Sequence, residues 1–587
     1  MTQDAQCLRA SDLTMQVDRD TGFLRCIRLG DREVLRGVYA AVRDRNWGTV
    51  SPKISDFAVE PDGSGGMRAA FHARCTSDEV DLAWRGTVTV RGSEITYAFD
   101  GRALKPFLRN RIGLCVLHPI RECAGQPCTV VHSGGVEDRA AFPAAISPHQ
   151  PFLDLRSIAH EVRPGVRATA IFEGDVFETE DQRNWSDNSF KTYSTPLALP
   201  FPVRVAAGER MSQTVTLSLT GLDEGRVSTA PSTEHHKPVV LRRGRACHLP
   251  RLGLCLPSRG PFLSEAALVK LRELHLDHLR VELDLSDGGW ASTLARADRV
   301  AAALGISLHL ALHLGDHVEA DLRRVAGAVR RMESEISAWL VFQRGQATTP
   351  GALVSSTKLH LACLGGAGLV AAGTNAYFAE LNRGGESPTE ADAVVYSVNP
   401  QVHATDTASL VETLQTQAEM VTCARAIAEE RPVLVSPVTL RPRFNPNAMA
   451  EGDLPPARVD PRQATPFPAG WTLGSIAALA AGGAWSTTYF ETTGARGVMD
   501  VQGGPYPVWS VFRDLAHAKA GEITLLESDA PLRLLGVVAE GSGGSQAMLA
   551  NLTGEAQPVS LEGMTGADAR RLVLGPYEYK RLRLASA

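Results

Sequence analysis

No basic block, no long apolar run and no glycine-rich nucleotide loop occurs in this chain of 587 residues. Without a basic block, and with a formal net charge of −5, nucleic acid and anionic membranes are poor partner candidates. Without a run of roughly 18 to 20 apolar residues, no membrane span is expected. The first twenty residues, MTQDAQCLRASDLTMQVDRD, hold no apolar core of the kind a secretory signal needs. Ten cysteines are spread along the chain, and only Cys123 and Cys128 stand close, with no second pair to complete a zinc site. The expectation is therefore reduced, mostly buried thiols in a cytoplasmic protein, and no metal or cofactor. GxGxxG and GxxxxGK[ST] are missing after the strands that could open a nucleotide-binding sheet. GxSxG is missing too, which removes the familiar serine nucleophile turn. Nor is there an internal repeat or a low-complexity tract.

What remains is an ordinary globular composition, 44% hydrophobic and 21% charged. The length is too great for one core, so about two to four domains are expected. Residues 1–228 alternate apolar and polar positions over short runs, as in GMRAAFHARCTSDEVDLAWRGTVTVRGSEITYAFDG. That period of two, broken by Gly, Asp and Asn turns, predicts an N-terminal antiparallel β-sandwich. Two polar stretches interrupt it. VRDRNWGTV gathers Arg43, Asp44, Asn46 and Trp47, and ETEDQRNWSDNSFKTY gathers Trp185, Asp187 and Lys191. Amides, carboxylates and an indole are suited to hydroxyl-rich ligands; the alternative is a solvated loop held by its own Asx turns, a reading that the aromatic residues Trp185, Phe190 and Tyr193 of the second stretch oppose.

After a linker-like stretch, Ser228–Pro238, the period changes. Eight short apolar runs follow: RLGLCLP, HLRVELDL, SLHLALHL, SAWLVFQ, GLVAAGTN, AVVYSVNP, VLVSPVTL and GAWSTTYF. Amphipathic stretches such as WASTLARADRVAAALG and HVEADLRRVAGAVRRM lie between them. Eight alternations over roughly 280 residues predict a (β/α)8 TIM barrel at 239–521. Residues 522–587 read as short strands again, a small C-terminal β domain.

Such barrels do their chemistry at the carboxyl ends of their strands. Strand two brings Glu282 and Asp284 there, and strand three brings His309 and His313. These two histidines share a strand face but lie about 13 Å apart, too far to hold one ion. The fifth strand leads into Asn375, Tyr377, Glu380, Asn382 and Arg383. The sixth leads into Asn399, Gln401, His403 and Asp406, the seventh into Ser436, Thr439, Arg441 and Arg443. The eighth supplies Tyr489 and stops at Glu491, with Thr492, Thr493 and Gly494 beginning a loop. In HATD, Asp406 either holds His403 in one tautomer or caps the next helix.

Five of these segments, EDQRNWSDNSFKTY, GTNAYFAELNRG, SVNPQVHATD, SPVTLRPRFN and YFETTGARGVM, together resemble the D-apionate lactonases of bacterial apiose catabolism. The resemblance runs along the whole chain and implies hydrolysis of D-apionolactone, a branched-chain aldonolactone, to D-apionate. It carries no residue assignment, so roles rest on chemistry. Glu491 and His403 are the expected base and acid, in either order. Asn375, Asn382, Arg383, Asn399, Gln401, Arg441, Tyr489, Trp185, Asp187 and Lys191 are the expected binding residues, with Glu380 beside them. The expected partner is a small sugar lactone, and a homo-oligomer is compatible with the sequence. The barrel also resembles retaining glycosidases, in which Glu380 and Glu491 would act as the paired carboxylates. The departure is Asn375, five residues before Glu380 rather than adjacent. A silent sugar-binding protein is a third reading, opposed by the number of ionisable strand-end residues.

Overall fold

The computed structural model describes residues 5–10, 12–63, 65–222, 237–257, 262–362, 368–384, 388–446, 459–518, 521–541, 544–564 and 572–585. Most of the linker-like stretch Ser228–Pro238 lies outside them. Two compact units result. The first holds the described residues to Arg183 and from Asn188 to Leu222; the second holds Asn184–Asp187 and the described residues from Lys237 on.

The first unit is a seventeen-stranded, antiparallel network of strands. Its alternating sequences become alternating burial: Leu82, Trp84, Val88 and Val90 of strand Asp81–Arg91 point into one core. A two-residue turn joins that strand to Glu94–Ala103, and Gly92 takes φ +54° there, a conformation glycine adopts without a Cβ penalty. VRDRNWGTV ends strand Arg32–Asp44 in a turn whose Asp44 carboxylate accepts from Asn46 and Gly48 N–H, the Asx-type reading of that stretch. The second polar stretch is no solvated loop. Phe177–Asp181 pairs antiparallel with Ser189–Tyr193, and every residue of both strands is buried. Their charges are matched across the pair, Lys191 Nζ to Glu180 at 2.5 Å and Tyr193 Oη to Glu178 at 2.5 Å. Pairing of that kind is what lets such polar side chains leave water.

The second unit contains a closed parallel barrel whose strands follow chain order. They are Arg251–Cys255, His278–Asp284, Ser307–Leu314, Ile336–Gln343, Leu369–Tyr377, Ala393–Val398, Val433–Val438 and Ser486–Glu491. All eight coincide with the eight apolar runs. Small residues fill part of the barrel interior (Ala311, Ala338, Ala371, Ala393) beside Leu340, Val395 and Leu434. Another inward layer is polar: the His278 and His309 rings stack 3.6 Å apart, and His278 Nε2 meets Thr488 Oγ1 at 2.8 Å. His309 is thus core, and burial pushes both imidazoles down, His278 to about 3.

The amphipathic stretches form helices, among them Trp290–Leu304 and Val318–Val329. A further helix, Phe467–Gly482, has no polar face, and all but Ala477, Ala478 and Ala481 are buried. It lies between the barrel and a seven-stranded sheet, where Gly470 and Gly474 permit close approach to Ala550 and Leu535. That sheet carries the C-terminal strands. It also takes Val239–His248, which pairs with Glu522–Ser528 and Gln557–Glu562, so the barrel's own strands begin at Arg251. None of the nine described cysteines is in a disulfide. No described helix is long and apolar enough to cross a membrane.

Candidate active site

Glu491 ends barrel strand eight, and a bulge decides where it points. Strict alternation would send Tyr489 and Glu491 to the same face. Arg251 to Leu254 pair in step with Ser486 to Tyr489, but Cys255 pairs with Glu491, skipping Phe490. Phe490 takes φ +23°, and the extra residue turns the carboxylate inward. Tyr489 stays on the outer face, fully buried, its hydroxyl 2.8 Å from Ser475 Oγ of helix Phe467–Gly482. It was expected to bind substrate; the pleat gives it to packing instead.

Inside the mouth, Glu282 of strand two is held between two guanidinium groups. Arg280 donates to Glu282 at 2.9 Å, Arg443 donates to the same oxygen, and His313 Nε2 lies 3.9 Å away. Asn375 of strand five joins the arginines, its Oδ1 accepting from Arg280 at 3.0 Å and from Arg443 at 2.7 Å. Burial alone would raise Glu282, but Arg280 and Arg443 outweigh it and hold the carboxyl well below its usual range. Glu491 behaves oppositely. Burial raises it, Arg496 at 2.5 Å offsets part of that, and the charge of Glu282 raises it further. The Cys255 thiol lies among these groups and is pushed up to about 11 by burial. A cavity of ≈180 Å³ opens beside Glu491, walled by Leu256, Phe262, Val300 and Val501, with Arg296 and Thr493.

A second cluster surrounds His403. Its Nδ1 meets Asp187 Oδ2 at 2.8 Å, and Trp185 stands edge-on at 5.2 Å. Asp406 is not the partner; it caps Thr407–Glu412, accepting from Ser409 N–H at 3.0 Å. Arg383 lies over the Trp185 ring at 4.9 Å, and Asn382 donates to Asn184 Oδ1 at 2.9 Å. Ser186 donates to the Asn399 carbonyl at 3.3 Å, so Asn184–Ser186 and the ends of strands five and six are knit together.

The other expected residues are engaged elsewhere. Glu380 Oε2 accepts from Tyr377 N–H at 2.9 Å, closing the first turn of Phe378–Gly384, and its charged neighbour is Arg383. The carboxylate that acts on Glu491 is Glu282, not Glu380. Gln401 donates to Asp460 Oδ2 at 2.6 Å and to the Leu440 carbonyl, and Arg441 also turns to Asp460. Burial of Asp460 is overcome by Arg462 and Gln401, which bring it down to about 2. Lys191 belongs to the first unit and pairs with Glu180. Conversely Glu282 and Arg443 were read as strand-end candidates without an assigned role, and Arg280 and Arg496 were given no part in the expected site. Glu282 near its strand end and Arg443 in the loop after strand seven were visible, but spacing along the chain does not show that residues of strands two and five and of that loop meet at one carboxylate. No group of three or more His, Cys, Asp or Glu side chains converges as metal ligands among the described residues.

Three family models match the chain: the D-apionate lactonase N-terminal domain at residues 1–222, its TIM barrel domain at 252–520 and its C-terminal immunoglobulin-like domain at 531–582. A D-apionate lactonase of Brucella anthropi is 30% identical, covering 97% of this chain and 95% of that protein. Among solved structures, a GH30 endoxylanase from Clostridium papyrosolvens aligns at 10% identity and a TM-score of 0.37, over 59% of this chain and 97% of that one. A family 39 glycoside hydrolase from Bacteroides cellulosilyticus aligns at 9% and 0.39, over 79% and 95%. Likeness that slight adds nothing to the strand order already described.

Proposed function

The chain belongs to the D-apionate lactonase family, a family of lactone-hydrolysing enzymes, and on that premise we propose that it opens D-apionolactone to D-apionate at the mouth of its barrel. As a carboxylic-ester hydrolase it must activate water, stabilise a tetrahedral oxyanion and protonate the departing ring oxygen. The observation that carries the reading is the poise of Glu491. It is a strand-end carboxyl whose hold on a proton burial raises, beside a cavity and in the field of Arg496 and Glu282.

Glu491 and His403 share the acid and base work. Asp187 accepts from Nδ1–H, which makes Nε2 of His403 the nitrogen that would take a proton from substrate or return it. Arg443 and Arg280 carry between them one more positive charge than Glu282 neutralises, which suits an oxyanion and then a carboxylate product. The Trp185 ring with Asn382 and Arg383 suits the apolar face and hydroxyls of a sugar acid. A role in apiose catabolism and a cytoplasmic location belong to the same proposal; the free thiols support a reducing compartment.

Acid release followed by pH-stat tests it. D-apionolactone should be turned over in preference to other aldonolactones, while aryl glycosides should release no sugar. Glycoside cleavage without lactone turnover would replace this reading with the retaining-hydrolase one. That alternative needs Glu380 and Glu491 as a pair, whereas Glu380 is tied to Tyr377 and Arg383, and Glu491 to Arg496 and Glu282.

A further inference from the structure

We infer that Asn375 is a catalytic residue: Arg280 and Arg443 grip its side-chain oxygen, and its amide N–H groups are thereby fixed as donors to the substrate carbonyl oxygen as that atom becomes an oxyanion. The inference rests on the proposed lactone hydrolysis and deepens it by naming the group that touches the developing charge.

Asn375 stands half-buried near the carboxyl end of strand five, and both its main chain and its side chain are held. Arg443 Nη2 donates to its backbone carbonyl at 2.6 Å and to Oδ1 at 2.7 Å, and Arg280 Nη2 donates to Oδ1 at 3.0 Å. Ser397 of strand six donates to the same backbone carbonyl at 3.3 Å. A guanidinium can only donate, so the side-chain atom between two of them must be the oxygen, not the nitrogen. The amide plane is thereby set, and Nδ2 with its two protons is turned away from the arginines. No described residue accepts from Nδ2, and solvent reaches the atom. The arginines are themselves fixed, because Arg280 Nη1 donates to Glu282 at 2.9 Å and Arg443 Nη1 donates to the same oxygen. A donor held in place before substrate arrives suits an oxyanion, since nothing has to reorganise as the charge forms.

Strand register ties this corner to Glu491. Cys255 of strand one pairs with Glu491 on one side and with Arg280 on the other. Partners in a parallel ladder face the same side of the sheet. The Glu491 and Arg280 side chains therefore enter one barrel mouth from strands about 10 Å apart, and Arg280 reaches across to Asn375.

The step balances. Water's oxygen bonds to the lactone carbonyl carbon and gives up a proton to the general base. The π pair of the carbonyl moves onto its oxygen, where the Asn375 N–H groups meet it. That pair returns as the bond from carbon to the ring oxygen breaks, and the ring oxygen takes a proton from the general acid. One lactone and one water give one hydroxy acid.

The test is steady-state lactone hydrolysis by Asn375→Asp and Asn375→Ala, with thermal unfolding of each. Aspartate keeps an acceptor for both arginines but has no donor, and it cancels the positive charge left over among Arg280, Arg443 and Glu282. Alanine loses donor and acceptor and leaves that charge in place. With the N–H groups on the oxyanion, both variants should lose about 10²- to 10³-fold in kcat while KM stays within about threefold. Asn375→Asp should melt near the wild-type Tm, because Nδ2 has no partner in the fold to lose. Loss in Asn375→Ala alone would make the residue an anchor for the arginines and overturn the proposal. Loss in Asn375→Asp alone would trace the effect to charge and overturn it as well. So would a loss confined to KM, or an unfolded Asn375→Asp, which would show that Nδ2 serves the fold. A wild type that hydrolyses no lactone refutes the functional reading, and this inference with it; an active wild type with active variants refutes the inference alone.

Discussion

Replacing Asp187 with Asn removes the negative charge from the His403 pair while keeping the side chain's size. The carboxylate lies 2.8 Å from Nδ1, and the side chains are 12% and 13% exposed, so water screens the contact little. A hydrogen bond to a charged group in such a place contributes about 1.5–3 kcal/mol. The bond strengthens as the imidazole becomes cationic, so the loss falls on the transition state, and each 1.36 kcal/mol is tenfold in rate. Asp187→Asn should therefore lower kcat about ten- to hundredfold with little change in KM. Without the carboxylate, His403 also loses affinity for its proton. The limb that reports deprotonation of the base should move to lower pH, by about one unit. Steady-state lactone hydrolysis by pH-stat from pH 5 to 9 measures both. A kcat within about twofold of wild type, or a loss confined to KM, would show that Asp187 does not serve His403 in turnover and would refute the dyad.

Glu491→Gln should lose about 10²- to 10⁴-fold in kcat, the range of general acid–base catalysis, with an unchanged circular dichroism spectrum; near-normal turnover would remove Glu491 from the mechanism. Tyr489→Phe should leave kcat unchanged and reduce unfolding free energy by about 1 kcal/mol in urea, since it deletes one buried bond to Ser475. Gly253→Ala places a Cβ 2.2 Å from the His278 ring, which cannot retreat from its stack on His309; a loss of about 1–3 kcal/mol is expected by the same assay. The buried His278 and His309 are neutral in the fold and protonate readily only when unfolded. Their contribution is whole above about pH 6.5 and is lost progressively as pH falls toward about 3, so Tm should drop across that window and drop less in His309→Leu.

How far the site was legible depended on the kind of information each residue needed. The eight barrel strands were readable because each is an apolar run bounded by turn residues, a local property. Helix Phe467–Gly482 was harder, because burial on all sides erases the polar face that reveals an amphipathic helix. His403 was picked out by its strand-end position, but its partner lies 216 residues away in sequence, while the nearby Asp406 turned out to cap a helix. The stretch from Glu178 to Tyr193 announced itself by composition. Only cross-strand pairing showed that its charges satisfy one another in the dry.

The order of the chain by itself determined the architecture: a β-rich N-terminal part, eight strand–helix alternations, a small β domain, and a carboxylate at the end of the eighth strand. Those follow from periodicity and from turn chemistry, which act over a few residues. What Glu491 can do was decided only in three dimensions. One extra residue at Phe490 turns it inward instead of leaving it beside Tyr489 on the outer face. Glu282 of strand two, itself held by Arg280 and Arg443, and Arg496 of the following loop then set the field in which it ionises. A proton's affinity for a carboxylate is the sum of burial and every nearby charge, and those terms exist only after the barrel has closed.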